Sequence, residues 1–339
     1  MDSVTLTLEQ VFALAFDALK AQGLSTPQAD AIADTVTRAE RDECVAHGLF
    51  RIPFYVKALS NRNINPAAEP VLIRFAPGIL HVDAKFGFAP YALRLGIPPL
   101  IEAARTQGIA ALCVNNAYHI AGLWPEVEAI AGADLVSFAF TNALPAVAPA
   151  GGTKPLFGTN PMAFAWPRKG ASPFVFDQAS SVVSRGEVQI HKRDGRPIPE
   201  GWAIGPHGGT TTDAAAALDG ALLPFGGHKG SSIALMIELL AGALVGDLFS
   251  YEVAEREPGT AAPCGGELLI AVDPGICAGT QDRSSQNAHA EELFAKVLEQ
   301  NGVRLPSERR YAARKRTATD GVTVPSELFE VLRSYSRTE

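Results

Sequence analysis

Runs of apolar residues and the polar or glycine-rich breaks between them divide this chain into a helical start, an alternating middle and a helical end. Thr7 and Gln10 have the spacing of a reciprocal helix cap, so a first helix is expected from there to about Gln22, stopped by Gly23. Ser25 opens a second over roughly residues 27–41, and a short third is expected over 47–59. The character then changes. V-L-I-R-F and I-L-H-V-D (71–83) read as strands, followed by a helix over about 93–106 and a strand at I-A-A-L-C-V-N (109–115). W-P-E-V-E-A-I reads as a helix, L-V-S-F-A-F (135–140) as a strand, and N-P-M-A-F-A-W-P and F-V-F-D as two more. Such alternation belongs to an α/β lobe. Residues 191–221, rich in Gly, Pro and Thr, are expected to form an ordered loop with little helix. A long helix is expected over about 229–245, a strand at G-G-E-L-L-I-A-V-D-P (265–274) and a helix over 287–301. T-V-P-S-E-L-F-E-V-L reads as a last helix with proline in its first turn.

Composition narrows the classes. With 339 residues, 47% of them hydrophobic, the chain can bury a large core in two or three lobes. The net charge is −7 and there is no long basic run, so nucleic acid is not an expected partner. The start D-S-V-T-L-T-L-E-Q does not read as a signal peptide, and the most apolar stretch, 233–245, contains Glu238 and is too short to span a bilayer. The four cysteines are scattered without a C-x-x-C pair, which fits a reduced cytoplasmic protein without structural zinc. The seven histidines do not fall at metal-ligand spacing, so no catalytic metal is expected.

One motif stands out. L-P-F-G-G-H-K-G (223–230) sets Gly226, Gly227 and Gly230 with His228 and Lys229 in front of an apolar helix. Free N–H groups at a helix start, with a lysine beside them, suit a phosphate; a plain glycine turn into a buried helix is the alternative. There is no G-x-G-x-x-G after a strand and no G-x-x-x-x-G-K-[ST], so a dinucleotide bound here would not lie in a standard Rossmann crevice. G-x-S-x-G and H-E-x-x-H are also missing, which lowers the case for serine hydrolases and zinc proteases.

Six segments, taken in order, carry a resemblance over nearly the whole chain. They are R-D-E-C-V-A-H-G-L-F-R-I-P-F-Y (41–55), N-N-A-Y-H-I-A-G-L-W-P-E-V-E (115–128), K-P-L-F-G-T-N-P-M-A-F-A (154–165), F-D-Q-A-S-S-V-V-S-R-G-E-V-Q-I (176–190), L-L-P-F-G-G-H-K-G-S (222–231) and S-E-R-R-Y (307–311). Together they resemble the malate/L-lactate dehydrogenase family that lacks a Rossmann fold. Within it they are most similar to the reductases of Δ1-piperideine-2-carboxylate and Δ1-pyrroline-2-carboxylate. The resemblance implies an α/β protein with a non-Rossmann NAD(P)-binding fold, a largely antiparallel mixed sheet and a helical N-terminal region. The expected parts are a helical region 1–65 packing with the C-terminal segment, a first α/β segment 66–115, a central cofactor-binding domain 116–285 and a C-terminal helical segment 286–339. It also implies NADPH or NADH as cofactor, a small cyclic imino acid as substrate, and a homodimer; the basic residues Arg309, Arg310, Arg314 and Lys315 favour NADPH, whose 2′-phosphate wants extra cations.

The same resemblance assigns roles to residues. His47 takes the proton-donor position, consistent with the pKa range of imidazole. Arg51, four residues on, would share its face if the segment is helical, and a guanidinium suits a carboxylate. Thr159, Arg185 and Gly186 resemble substrate contacts. His119, Ile120, Ala121, Gly122 and Leu123 resemble a wall of the cofactor site, joined by Asp177, Gln178 and Ala179. His228, Lys229, Arg309 and Arg310 resemble cofactor contacts, with Arg314 and Lys315 shortly beyond. Trp124 reads as packing. Related enzymes carry S-H-G where this chain has Ala46, so the hydroxyl that resembles a relay to the histidine is missing. His47 must then be oriented by another group, or the proton step is weaker, or the substrate differs. Two rivals remain: a 2-hydroxy acid dehydrogenase acting on malate, lactate, ureidoglycolate or a sugar acid, and a nucleotide-binding protein that has lost catalysis.

Overall fold

A computed structural model describes residues 2–60, 62–280 and 282–336. Strand β1 (Ser3–Leu6) leads into helix α1 (Leu8–Ala21), where Gln10 N donates to Thr7 Oγ1 at 3.2 Å and Thr7 N to Gln10 Oε1 at 2.8 Å, closing the expected capping box. Gly23 turns the chain at φ 91° into α2 (Thr26–Arg41). The single helix expected over 47–59 is not formed. Two 3-10 turns, Val45–His47 and Leu49–Arg51, precede a short α3 (Ile52–Ala58). The break has a cause at Gly48. The buried Glu40 carboxylate fills the space beside it and accepts Leu49 N at 2.7 Å, so a Cβ at Gly48 would overlap Glu40 Oε1.

The middle of the chain builds one sheet. Its strands are β2 (Val71–Ala76), β3 (Ile79–Asp83), β4 (Ile109–Tyr118), β5 (Val136–Thr141), β6 (Met162–Trp166) and β7 (Phe174–Gln178), with a later strand between β4 and β5. Helix α4 (Ala89–Gln107) starts earlier than expected, with Pro90 in its first turn, and runs through Pro98 and Pro99. Helix α5 (Trp124–Ala131) follows β4. Residues 191–221 are a small subdomain and not a loop: α6 (Arg185–Arg193), strands β8 (Ala203–Ile204) and β9 (Thr210–Thr211), α7 (Ala214–Asp219) and β10 (Ala221–Leu222). Side-chain caps explain both helices, since Ser184 Oγ accepts Glu187 N at 3.1 Å and Asp213 Oδ1 accepts Ala215 N at 2.8 Å. Val147, Phe157, Val188 and Leu222 give this part its own core.

Helix α8 (His228–Ile237) passes into a π-helical stretch, Glu238–Leu244, where an α-helix was expected to continue. Glu238 is buried there, and its carboxylate accepts from Asn160 Nδ2 at 2.8 Å and Ser250 N at 2.9 Å. After α9 (Ser250–Arg256), strand β11 (Cys264–Val272) inserts antiparallel between β4 and β5. The sheet order is β2-β3-β4-β11-β5-β6-β7, and only β3 and β4 run parallel. This is the expected α/β fold with a largely antiparallel mixed sheet. Since β4 runs past residue 115, the segments 66–115 and 116–285 share this sheet. One sheet face is packed by α4 and α5 through Leu80, Leu112, Val127 and Leu269. The other meets α8 and its π-helical extension through Phe140, Ile237 and Val245.

Helices α10 (Pro274–Cys277), α11 (Ser284–Leu298), α12 (Glu308–Asp320), strand β12 (Val322–Pro325) and α13 (Ser326–Ser336) complete the chain. Pro325 ends a strand and is not in a helix turn, because residues 322–325 pair antiparallel with β1. Among the described residues no helix is long and apolar enough to cross a membrane.

Candidate active site

A cavity of about 540 Å³ lies where the helical N-terminal region, the end of the large sheet and the small subdomain meet. Each contributes a short segment. The 3-10 turns bring His47 and Arg51. The turn after β4 brings His119, Ile120, Ala121 and Gly122; the ends of β5 and β7 bring Thr141, Asn142, Asp177, Gln178 and Ala179; the start of α6 brings Arg185, Gly186 and Gln189. Thr159 completes the wall, its carbonyl accepting Ser180 N at 2.8 Å. Residues far apart in sequence thus converge because loops at one end of a sheet converge.

His47 and Arg51 meet without sharing a helix face. Arg51 Nε donates to the Ala46 carbonyl at 2.6 Å, and its guanidinium carbon lies 5.1 Å from the Phe54 ring centroid and 5.7 Å from that of Phe50. No carboxylate of the described residues forms an ion pair with it. Burial lowers its pKa to about 10, Tyr55 opposing, so it remains a cation without a counter-ion. Gly186 is a glycine for the same reason: a Cβ there would stand 2.6 Å from Arg51 Nη2. His47 is driven the other way. Burial, then the Arg51 charge, lowers its pKa to about 3 against a backbone hydrogen bond with Ile120, so the ring is neutral near pH 7. Its Nδ1 is buried without a partner.

With alanine at position 46, His47 packs against Trp124 instead of meeting a hydroxyl there. Its ring meets the His47 ring edge-on, centroids 5.8 Å apart. Trp124 Nε1 donates to Asp42 Oδ2 at 2.9 Å, and Arg314 holds that carboxylate through Nε at 2.6 Å and Nη2 at 2.7 Å. Asp42 therefore does not reach His47; it fixes the tryptophan that backs it. Asp177 Oδ2 accepts Leu123 N at 2.7 Å and Trp124 N at 3.0 Å at the start of α5. Leu123 supplies that N–H from a buried position and does not line the cavity. A Cβ at Gly122 would overlap the Trp124 ring, which is why the turn carries glycine there.

A second cavity shares Cys44, Asp177 and Arg310 with the first and adds Arg304, Ser307 and Arg309. Arg310 lies 5.3 Å over the Trp124 ring. Three arginines at the open end of an elongated double cavity suit the phosphates of a dinucleotide. His228 and Lys229 line neither cavity. They stand exposed at the N-terminus of α8, behind Gly226 and Gly227, which border a separate hollow with Pro149 and Val182. Gly230 has a packing reason, since a Cβ would overlap the Phe225 carbonyl and crowd Ser180 O at 2.8 Å.

Sequence reasoning missed Asn142 and Gln189, each with a buried side-chain oxygen lacking a partner, and the carboxyls of Glu126 and Glu267 behind His119. Gln189 lies four residues after Arg185 on α6, a helix that the apolar pattern did not reveal. Among the described residues no group of three or more His, Cys, Asp or Glu side chains is placed to hold a metal ion.

Known proteins resemble this chain along nearly its whole length. The family model for malate/L-lactate dehydrogenase matches residues 6–333. The Δ1-pyrroline-2-carboxylate reductase of Ancylobacter novellus is 51% identical over 334 residues, covering 98% of each chain. The Δ1-pyrroline-2-carboxylate/Δ1-piperideine-2-carboxylate reductase of Pseudomonas aeruginosa is 51% identical over 330 residues, 97% of this chain and 98% of its own. The crystal structure of the Δ1-piperideine-2-carboxylate reductase of Pseudomonas syringae pvar. tomato superposes with a TM-score of 0.92 at 38% identity, over 98% of this chain and 99% of that one. This chain belongs to the malate/L-lactate dehydrogenase family of NAD(P)H-dependent oxidoreductases.

Proposed function

We propose that this protein reduces the C=N bond of cyclic ketimine carboxylates, Δ1-pyrroline-2-carboxylate to L-proline and Δ1-piperideine-2-carboxylate to L-pipecolate, with NADPH in preference to NADH. The observation that carries the reading is Arg51: a half-buried guanidinium with no ion-pair partner among the described residues, stacked in place beside a neutral histidine in the cavity. The relatives named for these two reactions are the substrate's independent support.

Arg51 binds the ring carboxylate through its free N–H groups. That negative charge offsets the Arg51 charge, which after burial is the second cause of the low His47 pKa, so the bound carboxylate raises the basicity of His47. His47 then takes up a proton and presents it to the imine nitrogen, making the adjacent carbon a better hydride acceptor. His119 to Gly122 and Asp177 to Ala179 would hold the nicotinamide side of the cofactor, and Arg304, Arg309 and Arg310 its phosphates. Bound NADPH would supply the hydride to C2. A 2′-phosphate gives three arginines more to hold, which favours NADPH.

The protein is read as a cytoplasmic homodimer. Leu235, Met236, Leu239 and Leu244 leave an apolar strip of α8 and its extension exposed, a surface that suits a second copy. A 2-hydroxy acid dehydrogenase is the alternative, favoured by one observation: Arg185 also lines the cavity, half-buried, and would serve a second carboxylate. NADPH consumption with both cyclic imines, pyruvate and oxaloacetate, repeated with NADH, separates the readings. Turnover confined to the imines is expected. Turnover confined to the oxo acids would overturn the proposal, and none with either would leave a binding protein.

A further inference from the structure

Behind the cavity lie two buried acids that the reaction above does not use, next to one that lines it. Glu267 is on β11, Glu126 on the first turn of α5, and Asp177 at the end of β7. Glu267 is 1% exposed and Glu126 6%, and neither Glu267 oxygen nor Glu126 Oε2 has a hydrogen-bond partner. A bulge between Gly265 and Glu267 turns this side chain inward. Both preceding glycines serve it, since a Cβ at Gly265 or Gly266 would overlap Asn142 Oδ1 or the Ala241 carbonyl. The nearest candidate partner is His119. Its Nε2 is buried, has no hydrogen bond and lies 3.6 Å from Glu267 Oε2, leaving Nδ1 as the nitrogen for the cavity that the ring lines.

Two forms of the pair are conceivable: carboxylate with imidazolium, or carboxylic acid with neutral imidazole. The surroundings choose the second. Asp177, and Glu126 if it ionised, would add negative charge beside Glu267, while the cations that reach the group, Arg38 towards Glu126 and Arg310 towards Asp177, act from outside it. His47 faces His119 from the other side, neutral and without a charge to offer. Asp177 accepts two backbone N–H groups and Glu126 its own, whereas neither Glu267 oxygen has a donor. Burial lowers His119 to about 4; burial, with Glu126 and Asp177 beside it, raises Glu267 well above the usual carboxylate range. The two shifts agree on a neutral pair.

We propose that Glu267, backed by Glu126, is a protonated carboxylic acid that closes the 3.6 Å separation by a small side-chain rotation to donate to His119 Nε2, and so fixes the tautomer of His119 that carries its proton on Nδ1, a hydrogen-bond donor turned into the cavity. Glu267 is a positioning residue; His119 is the group that meets the ligand, at an acceptor oxygen of the bound acid or carboxamide. This deepens the reductase reading and rests on it only for the identity of that ligand.

The test is nitrogen NMR of the full-length protein labelled at histidine, with the His119 signal assigned from a His119→Asn variant. Wild-type His119 is expected neutral with its proton on Nδ1 through neutral pH. Glu267→Gln keeps a donor at the same place and is expected to retain that signature and kcat/KM to within about three-fold. Glu267→Leu removes the donor and is expected to give mixed tautomers and a loss of roughly ten-fold in kcat/KM. A proton on Nε2, a charged His119 in wild type, or a Gln variant that loses the signature overturns the proposal. Wild type and Glu267→Gln decide it even if the Leu variant does not fold. Absence of turnover with an intact Nδ1–H signature would refute the reductase reading alone.

Discussion

Adding one methyl group at Gly186 separates function from stability. Gly186 sits in the first turn of α6, and a Cβ built there stands 2.6 Å from Arg51 Nη2 and 3.5 Å from Ala46 Cβ. Only the first contact is too close, and it is with the mobile end of a long side chain. The guanidinium will therefore give way while the backbone stays. Alanine in place of a helical glycine itself stabilises by up to about 1 kcal/mol, so the melting temperature of Gly186→Ala is expected to hold or rise. The substrate loses at least one charge-assisted hydrogen bond from the displaced guanidinium, about 1.5–3 kcal/mol, which is roughly a 10- to 150-fold fall in kcat/KM. Because a carboxylate is bound equally in ground and transition states, the loss should fall mainly on KM. Steady-state kinetics with a cyclic imine carboxylate, beside thermal unfolding, gives both readouts. An Arg51→Met background supplies the control, since there Gly186→Ala should change nothing further. An unchanged kcat/KM, or an equal loss in both backgrounds, would refute the reasoning.

Asp42→Asn should destabilise by about 3 kcal/mol in urea unfolding, because it removes the buried anion that Arg314, Arg41 and Trp124 share. In wild type that carboxyl is held below its usual range, so its contribution is present above about pH 4 and is lost in acid. Glu126 has the opposite sign: burial raises it to about 8, so the stability linked to its proton is present below about pH 4.5 and falls as pH rises through about 8. Thermal unfolding of Glu126→Gln should gain on wild type between about pH 4.5 and pH 8; a pH-independent gap would show that the folded carboxyl titrates no higher than the unfolded one. Gly48→Ala forces Glu40 off Leu49 N and should lower both stability and kcat, since the turn carrying His47 and Arg51 rests on that bond; retention of full activity would show that the turn is held by other contacts.

What the sequence made legible was local. The cap of α1 and the strands of the sheet interior follow from short-range spacing, and the structure keeps them. His47 and Arg51 were paired by a helical spacing that does not exist; they converge because Glu40, on another helix, splits that segment at Gly48. The glycines before α8 drew attention as a phosphate cradle, yet Gly230 answers to the Phe225 and Ser180 backbones, and the cations gathered at the double cavity come from the C-terminal segment. Within one stretch of basic residues there, Arg310 reaches the cavity and Arg314, one turn on along the same face of α12, is taken up by Asp42, a division that residue type alone does not carry.

The buried acids set the sharper limit on such reading. Glu126 has the look of an ordinary first-turn acid and Glu267 of a lone polar residue in an apolar strand. Their meaning arises from three distant facts together: a bulge beside Glu267, a helix start that places Glu126 near it, and Asp177 taking the Leu123 and Trp124 N–H groups. Each alone is unremarkable in sequence. Combined, they leave two carboxyls with no charge partner beside an unbonded imidazole nitrogen, an arrangement stable only if the acids keep their protons. A site built by exclusion in this way, from what is withheld from each group, is written in the tertiary contacts and not in any motif.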